Sequence, residues 1–245
     1  MEDEILTCDV SDGIARLVMN RPKKLNALSD AMLAALTDRL TALGEDTSVR
    51  VIILAGAGKA FCAGHDLAEM QAGRAAPDGG AAYFNDLFTR CGALMQLIPA
   101  LPQPVIAEVH GVAAAAGCQL VAACDLAVAT SDTRFGVNGV NIGLFCSTPM
   151  VALTRNIGRK AACDMLTTGQ LVGADRAAEL GLINRAVPAE DLTAETRALA
   201  DTIAAKLTAA VRLGKAAFYQ QAQMDLADAY AYTGRVMADN MALRD

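Results

Sequence analysis

Tryptophan is absent from the 245 residues and no Lys/Arg block interrupts a chain of net charge −6, so the electrostatic footprint expected of a nucleic-acid-binding protein is missing. Anionic ligands must be attracted locally instead. Long apolar runs are missing too. Hydrophobic residues make up 53% of the chain, yet Val51-Ile52-Ile53-Leu54-Ala55 and Val112 to Ala116 fall far short of the ~18 residues a membrane span requires. The start, Met1-Glu2-Asp3-Glu4, has neither a positive region nor an apolar one to direct export, which predicts a cytoplasmic protein. No CxxC pair occurs among Cys8, Cys62, Cys91, Cys118, Cys124, Cys146 and Cys163, and an odd, scattered set argues against a disulfide framework or a metal site. Most of these cysteines read as small buried hydrophobes.

What is present is a strand–helix alternation. Ala15 to Met19 reads as a short strand, Asn20-Arg21-Pro22 as a breaker, and Ser29 as the cap of a helix running to about Leu43, with Leu33, Leu36, Leu40 and Leu43 on one face and Gly44 as its stop. Val49 to Ala55 is apolar on both parities apart from Arg50, the pattern of a strand buried on both faces. Val105 to Val109 and Leu126 to Ala129 read likewise, and the short helix from Cys118 to Cys124 between them implies parallel pairing. Thr148-Pro149 opens a helix predicted to end near Gly158, and Leu182 to Val187 supplies a last strand. Ala72 to Ala82, rich in Gly, Ala, Pro and Asp, reads as a loop. The expected division is a core over residues 1–188 and an Ala-rich helical region over 189–245.

Two segments carry chemistry. Gly58-Lys59-Ala60-Phe61-Cys62-Ala63-Gly64-His65-Asp66-Leu67 follows a buried strand and leads into a helix, and its small residues let backbone approach a ligand. Val109-His110-Gly111-Val112-Ala113-Ala114-Ala115-Ala116-Gly117-Cys118-Gln119-Leu120 passes from strand through a tiny-residue loop into a helix, whose start offers free N–H donors and a positive dipole end. One N–H from each bend would stabilise the negative charge that develops on a thioester oxygen. Each segment alone also fits an ordinary strand-to-helix turn.

Taken in order, Asn20-Arg21-Pro22, Asn26-Ala27-Leu28, Ala60 to Leu67, Pro104-Val105-Ile106-Ala107 and Gly117-Cys118-Gln119-Leu120 through Cys124-Asp125 resemble the enoyl-CoA hydratase/isomerase (crotonase) superfamily over almost the whole chain. Asn141-Ile142-Gly143-Leu144-Phe145-Cys146-Ser147-Thr148-Pro149 and Asp239 to Asp245 look most like its enoyl-CoA hydratase domain-containing protein 3 branch. The resemblance implies an α/β fold, a spiral of ββα units with a C-terminal helical trimerisation layer, assembled as a trimer or a dimer of trimers. It implies a hydratase-like lyase of acyl-CoA metabolism with no separate cofactor, coenzyme A entering as part of the substrate. The oxyanion donors would be the backbone N–H groups of His65 and Ala116. Ala63, His65, Asp66, Leu67, Ala68, Ala116 and Gly117 would line the thioester and pantetheine, with Lys23, Lys24 and Leu25 near the nucleotide. Relatives usually carry one more helix beyond the position of Asp245.

The family's two glutamates, which activate water and protonate the α-carbon, fall at Gln119 and Gly139. Neither side chain exchanges a proton near neutrality, and each lost acid or base is typically worth ~10²–10⁴ in rate, which puts efficient hydration in doubt. Glu108, Asp66, Glu69, Asp86 and the Cys146-Ser147 pair are the possible substitutes, Glu108 being the oddest because strand carboxylates beside apolar runs are uncommon. The bland readings are a paired strand-end carboxylate for Glu108, a helix cap for Asp66 and a lining role for Cys146 and Ser147. Three functions stay open: an acyl-CoA enzyme that needs enolate stabilisation more than a base, such as a malonyl-type decarboxylase; a noncatalytic acyl-CoA binder; and a fold kept only for assembly.

Overall fold

The computed structural model of the chain describes residues 4–243. Met1 to Asp3 of the acidic start, and Arg244 and Asp245 of the late motif, lie outside the described residues. In chain order the elements are β1 (Leu6–Ser11), β2 (Ile14–Met19), α1 (Asp30–Glu45), β3 (Val51–Gly56), α2 (Leu67–Arg74), α3 (Ala81–Ala100), β4 (Val105–Val109), β5 (Val112–Ala114), α4 (Ala116–Ala123), β6 (Leu126–Thr130), β7 (Arg134–Gly136), α5 (Pro149–Leu153), α6 (Arg159–Thr168), β8 (Val172–Gly173), α7 (Ala174–Leu180), β9 (Arg185–Val187), α8 (Leu192–Ala204), α9 (Thr208–Gln221) and α10 (Leu226–Ala242).

The main sheet runs β1-β2-β3-β4-β6-β9. Only the β1–β2 hairpin is antiparallel; every later strand adds in parallel, with helices as crossovers. Because parallel strands are covered on both sides, β3 buries alternate residues in different places. Ile52 and Leu54 join the large core with Leu33, Leu36 and Leu40 of α1 and Leu94 and Ile98 of α3, while Val51 and Ile53 meet Ala200 and Ala204 of α8 on the other face. A small second sheet, β5-β7-β8, sits beside the first.

Several expectations are corrected. Gly44 does not stop α1, which runs to Glu45; the Leu101 side chain lies within 2.8 Å of where a methyl group on Gly44 would be, so the glycine admits close packing. Ser29 does cap α1, accepting from the Met32 N–H at 3.2 Å. The helix at Pro149 stops at Leu153 rather than near Gly158, and Thr148 makes no side-chain cap bond. The supposed loop from Ala72 to Ala82 is mostly helical at its ends, and only residues 75–80 join α2 to α3. The 20-residue helix α3 itself, with Leu87, Cys91, Leu94, Met95 and Ile98 on its buried face, was not anticipated, and neither were β1, β5, β7 and β8. Of Leu182 to Val187 only the last three residues form a strand.

At the C-terminal side, α9 is pinned to the sheet by a buried polar cluster. Lys215 donates to the Ile98 and Gln103 carbonyls at 3.0 and 2.8 Å and to Asp125 Oδ2 at 2.7 Å, and Tyr219 donates to Asp125 Oδ1 at 2.7 Å. The Lys215 ammonium and both Asp125 oxygens are satisfied, as a buried ion pair requires. Beyond it α10 has no buried residue, and Leu226, Tyr230, Met237 and Met241 are exposed. Among the described residues no helix is long and apolar enough to cross a membrane.

Candidate functional site

The two small-residue segments lie side by side because they hydrogen-bond as strands do. Phe61 N–H donates to His110 O at 3.0 Å, Cys62 N–H to Val112 O at 3.1 Å, and Ala114 N–H to Cys62 O at 3.0 Å. Their bends then meet. A methyl group on Gly64, whose φ is +98°, would come within 3.0 Å of Ala115 Cβ and 3.4 Å of Ala116 N. Ala115 has a φ of 49°, a conformation L residues avoid, and its N–H is held by Gly136 O at 2.8 Å. Gly117 has no alternative: a methyl group there would sit 2.2 Å from Cys62 O. With the bends locked in this way, the N–H groups of His65 and Ala116 find no acceptor among the described residues. Ala116 opens α4, so its amide also carries the positive end of that helix.

Beside these amides lies a cavity of about 430 Å³. Ala63, His65 and Leu67 line it from the first bend, Ala115 and Ala116 from the second, Met70 and Phe88 from α2 and α3, and the segment from Asn138 to Pro149 closes the far side. Of the predicted pantetheine residues, Ala63, His65, Leu67 and Ala116 therefore reach the cavity. Ala68, Gly117 and Asp66 are not part of its wall, and Asp66 caps α2, accepting from the Ala68 and Glu69 N–H groups at 2.8 and 3.4 Å. Lys23 and Lys24 are exposed on a one-turn helix, and Leu25 O accepts from Ala63 N–H at 3.0 Å, which ties that turn to the first bend.

The carboxylate positions differ. Gln119 is 3% exposed, one turn into α4 and outside the cavity wall, and its Oε1 has no partner. Gly139 does line the cavity, but Leu144 O stands 2.3 Å and Cys146 Sγ 2.8 Å from where its Cβ would be. Gly139 N–H donates to that sulfur at 3.3 Å. The substitutes are engaged elsewhere. Glu108 pairs with Arg16 across β3, away from the cavity wall; Glu69 accepts from the Asp30 N–H at 2.8 Å; Asp86 pairs with Arg90 at 2.6 Å. Cys146 and Ser147 do line the cavity, but burial pushes the Cys146 thiol up, away from the thiolate. His110 lies against Gly58 O at 2.8 Å, outside the wall. That leaves His65 and Cys146 as the titratable side chains in the wall. Met70, Phe88 and Leu144 were missed because they arrive from α2, α3 and a distant loop, respectively. The apolar spacing of Leu87, Cys91, Leu94 and Ile98 was the signal that could have revealed α3.

The profile of the enoyl-CoA hydratase/isomerase family matches residues 9–243. The chain belongs to that family. An enoyl-CoA hydratase from Mycobacterium smegmatis has a solved structure that superposes with a TM-score of 0.94 at 55% identity, over 98% of this chain and 91% of that one. This confirms the crotonase-type α/β fold with a parallel sheet and a helical C-terminal region. The human protein named enoyl-CoA hydratase domain-containing protein 3, mitochondrial is 46% identical over 96% of this chain and 76% of its own length. Its Xenopus laevis namesake is 45% identical over 95% and 78%. The resemblance to that branch therefore stands, and the family's acyl-CoA chemistry is the frame for the site. The cytoplasmic expectation is overturned, since these relatives are named mitochondrial; an acidic start without an export signal carries no information about that compartment.

Proposed function

We propose that the protein binds an acyl-CoA and holds its thioester oxygen between the backbone N–H groups of His65 and Ala116, stabilising an enolate, in fatty-acid or acyl-CoA metabolism. The observation that carries this is the pair of amides without acceptors, on two interlocked bends beside one cavity. Preorganised donors of this kind act where negative charge develops and cost no reorganisation during the reaction. Lys23 and Lys24 stand at the exposed turn bonded to the first bend, where an anionic nucleotide would meet them.

A noncatalytic acyl-CoA binder is the second reading, favoured by Gly139, where the loop already fills the space a glutamate would need. The malonyl-type decarboxylase draws no comparable support, because no Lys or Arg among the described residues lines the cavity to hold a second carboxylate. Assembly as a trimer or dimer of trimers is proposed on the exposed apolar residues Phe218, Leu226, Tyr230, Met237 and Met241 of α9 and α10.

The test adds crotonyl-CoA and follows both the melting temperature and the conjugated absorbance. Saturating thioester raises the melting temperature, while absorbance falls slowly or not at all. Absence of any thermal shift with a panel of acyl-CoAs overturns the binding site. Rapid hydration overturns the second reading.

A further inference from the structure

We propose that Asn26 is a positioning residue whose buried side chain fixes the turn carrying Lys23 and Lys24 relative to the first bend, so that one acyl-CoA reaches both. This rests on the acyl-CoA reading and adds to it what sets the register between the two ends of that ligand.

Leu25 and Asn26 both have a φ of 51°, a conformation that asparagine tolerates and leucine avoids, so the chain leaves the one-turn helix Pro22–Lys24 through two successive left-handed residues. Something must hold it there. Asn26 is fully buried. Its Oδ1 accepts from the Arg21 N–H at 2.9 Å, and its Nδ2 donates to the Ala57 and Ala60 carbonyls at 2.9 and 2.8 Å, which uses both amide hydrogens. The fit is tight: a methyl group on Gly56 would lie 2.9 Å from Asn26 Nδ2, and one on Gly58 would lie 2.5 Å from Pro22 Cβ. One side chain therefore joins the entry of the lysine turn to both ends of the 57–60 loop that runs into the first bend. The bend itself is attached by main chain alone, Ala63 N–H donating to Leu25 O at 3.0 Å and Leu28 N–H to Gly64 O at 2.7 Å. Gly64 O shares a peptide plane with the His65 N–H, so the bond from Leu28 orients that amide. The two attachments act separately. Backbone bonds aim the His65 amide, and Asn26 holds the turn of Lys23 and Lys24 in place beside it. Both lysines are exposed, and a long exposed cation contributes most to binding an anion when its backbone is ordered beforehand.

The experiment titrates the full chain with butyryl-CoA and with S-butyrylpantetheine, which keeps the thioester and lacks the nucleotide, and reads the ratio of the two affinities. Asn26→Gly is the variant, because glycine takes a φ of 51° without strain and removes only the side-chain bonds. The preference for butyryl-CoA is expected to fall roughly tenfold in Asn26→Gly, whereas a general loss of packing weakens both ligands alike. Replacing Lys23 and Lys24 together by Ala is expected to lower the same preference in the wild type and to change it little in Asn26→Gly, since lysines on a freed turn no longer help. Additive losses in the two backgrounds overturn the inference. Hydrogen exchange in the wild type gives a readout that needs no variant. The Nδ2 protons of Asn26 are expected to exchange more slowly with butyryl-CoA bound than with S-butyrylpantetheine bound, because only the nucleotide favours the closed turn. An undiminished preference in Asn26→Gly, no preference for butyryl-CoA in the wild type, or equal exchange rates overturns the inference while leaving thioester binding intact. If neither thioester binds, the acyl-CoA reading itself falls.

Discussion

Two halves of one site have been treated differently. The bends at Gly64 and Ala115 are fixed by interlocking backbone bonds and leave two amides free. The two positions where the family places carboxylates are closed: Gln119 is buried without a partner for its Oε1, and the Leu144 carbonyl and Cys146 sulfur occupy the space beside Gly139. The first half requires only backbone, so it survives almost any side-chain drift that spares the glycines. The second half, on the proposed reading, requires particular side chains, which Gln119 and Gly139 do not supply. On the proposed reading, an acyl-CoA site loses its proton chemistry while its backbone donors remain assembled, at the cost of one unpaired buried amide oxygen on Gln119.

The sharpest test of that separation lies far from the cavity. Asp125→Ala strips the buried Lys215 of its counter-ion and Tyr219 of its acceptor, and removing one partner of a buried pair costs about 3–5 kcal/mol. Urea unfolding is expected to show that loss, while acyl-CoA affinity, measured where the variant is still folded, stays the same. If affinity falls in step with stability, the bends are not an independent unit.

Gly117→Ala attacks the bends directly. Its methyl group would lie 2.2 Å from Cys62 O, and overpacking against rigid backbone costs about 3 kcal/mol. Here stability and acyl-CoA binding are expected to fall together, because relief of the clash must pull α4 and the Ala116 amide away from the first bend. A stable variant with unchanged affinity would show that the two amides do not need this spacing.

The other half is probed by Gly139→Glu. Its Cβ meets the Leu144 carbonyl, so about 2 kcal/mol of stability is lost, and adding Gln119→Glu buries a second carboxyl with no partner in place. Crotonyl-CoA hydration in the double variant is expected to stay at the wild-type level, measured by the conjugated absorbance. A large gain in hydration would mean that the loop from Gly139 to Cys146 yields readily and that the proton chemistry was suspended, not dismantled.

How far the sequence revealed this depends on what each feature needs. β3 and β4 were legible because strands covered on both faces are apolar at nearly every position, Glu108 of β4 being the exception, and the bends were legible because closely approaching backbone leaves small residues in a fixed order. Helix α3 was hidden behind the Gly- and Pro-rich stretch before it, although its Leu87-Cys91-Leu94-Ile98 spacing was there to be counted. β5, β7 and β8 are too short to carry a period. The partner of Glu108 was out of reach for another reason: Arg16 lies 92 residues away, and only the β2–β3–β4 register brings it near. The cavity wall has the same character, because Met70, Phe88 and Leu144 converge through packing that no local pattern encodes.

The smallest effect bears on His65, the basic side chain that lines the cavity among the described residues. The folded chain holds His65 below its ordinary value of 6.5, mainly because burial disfavours the charged ring. The unfolded chain takes up that proton first as the pH falls, so stability is fully present above the unfolded value and declines below it. The slope from one group is at most about 1.4 kcal/mol per pH unit. Urea midpoints measured from pH 7.5 down to about 5.5 are expected to fall more steeply in the wild type than in His65→Phe, which has no ring to protonate. Equal slopes in the wild type and His65→Phe would mean that the ring is solvated in the folded chain and not desolvated by burial.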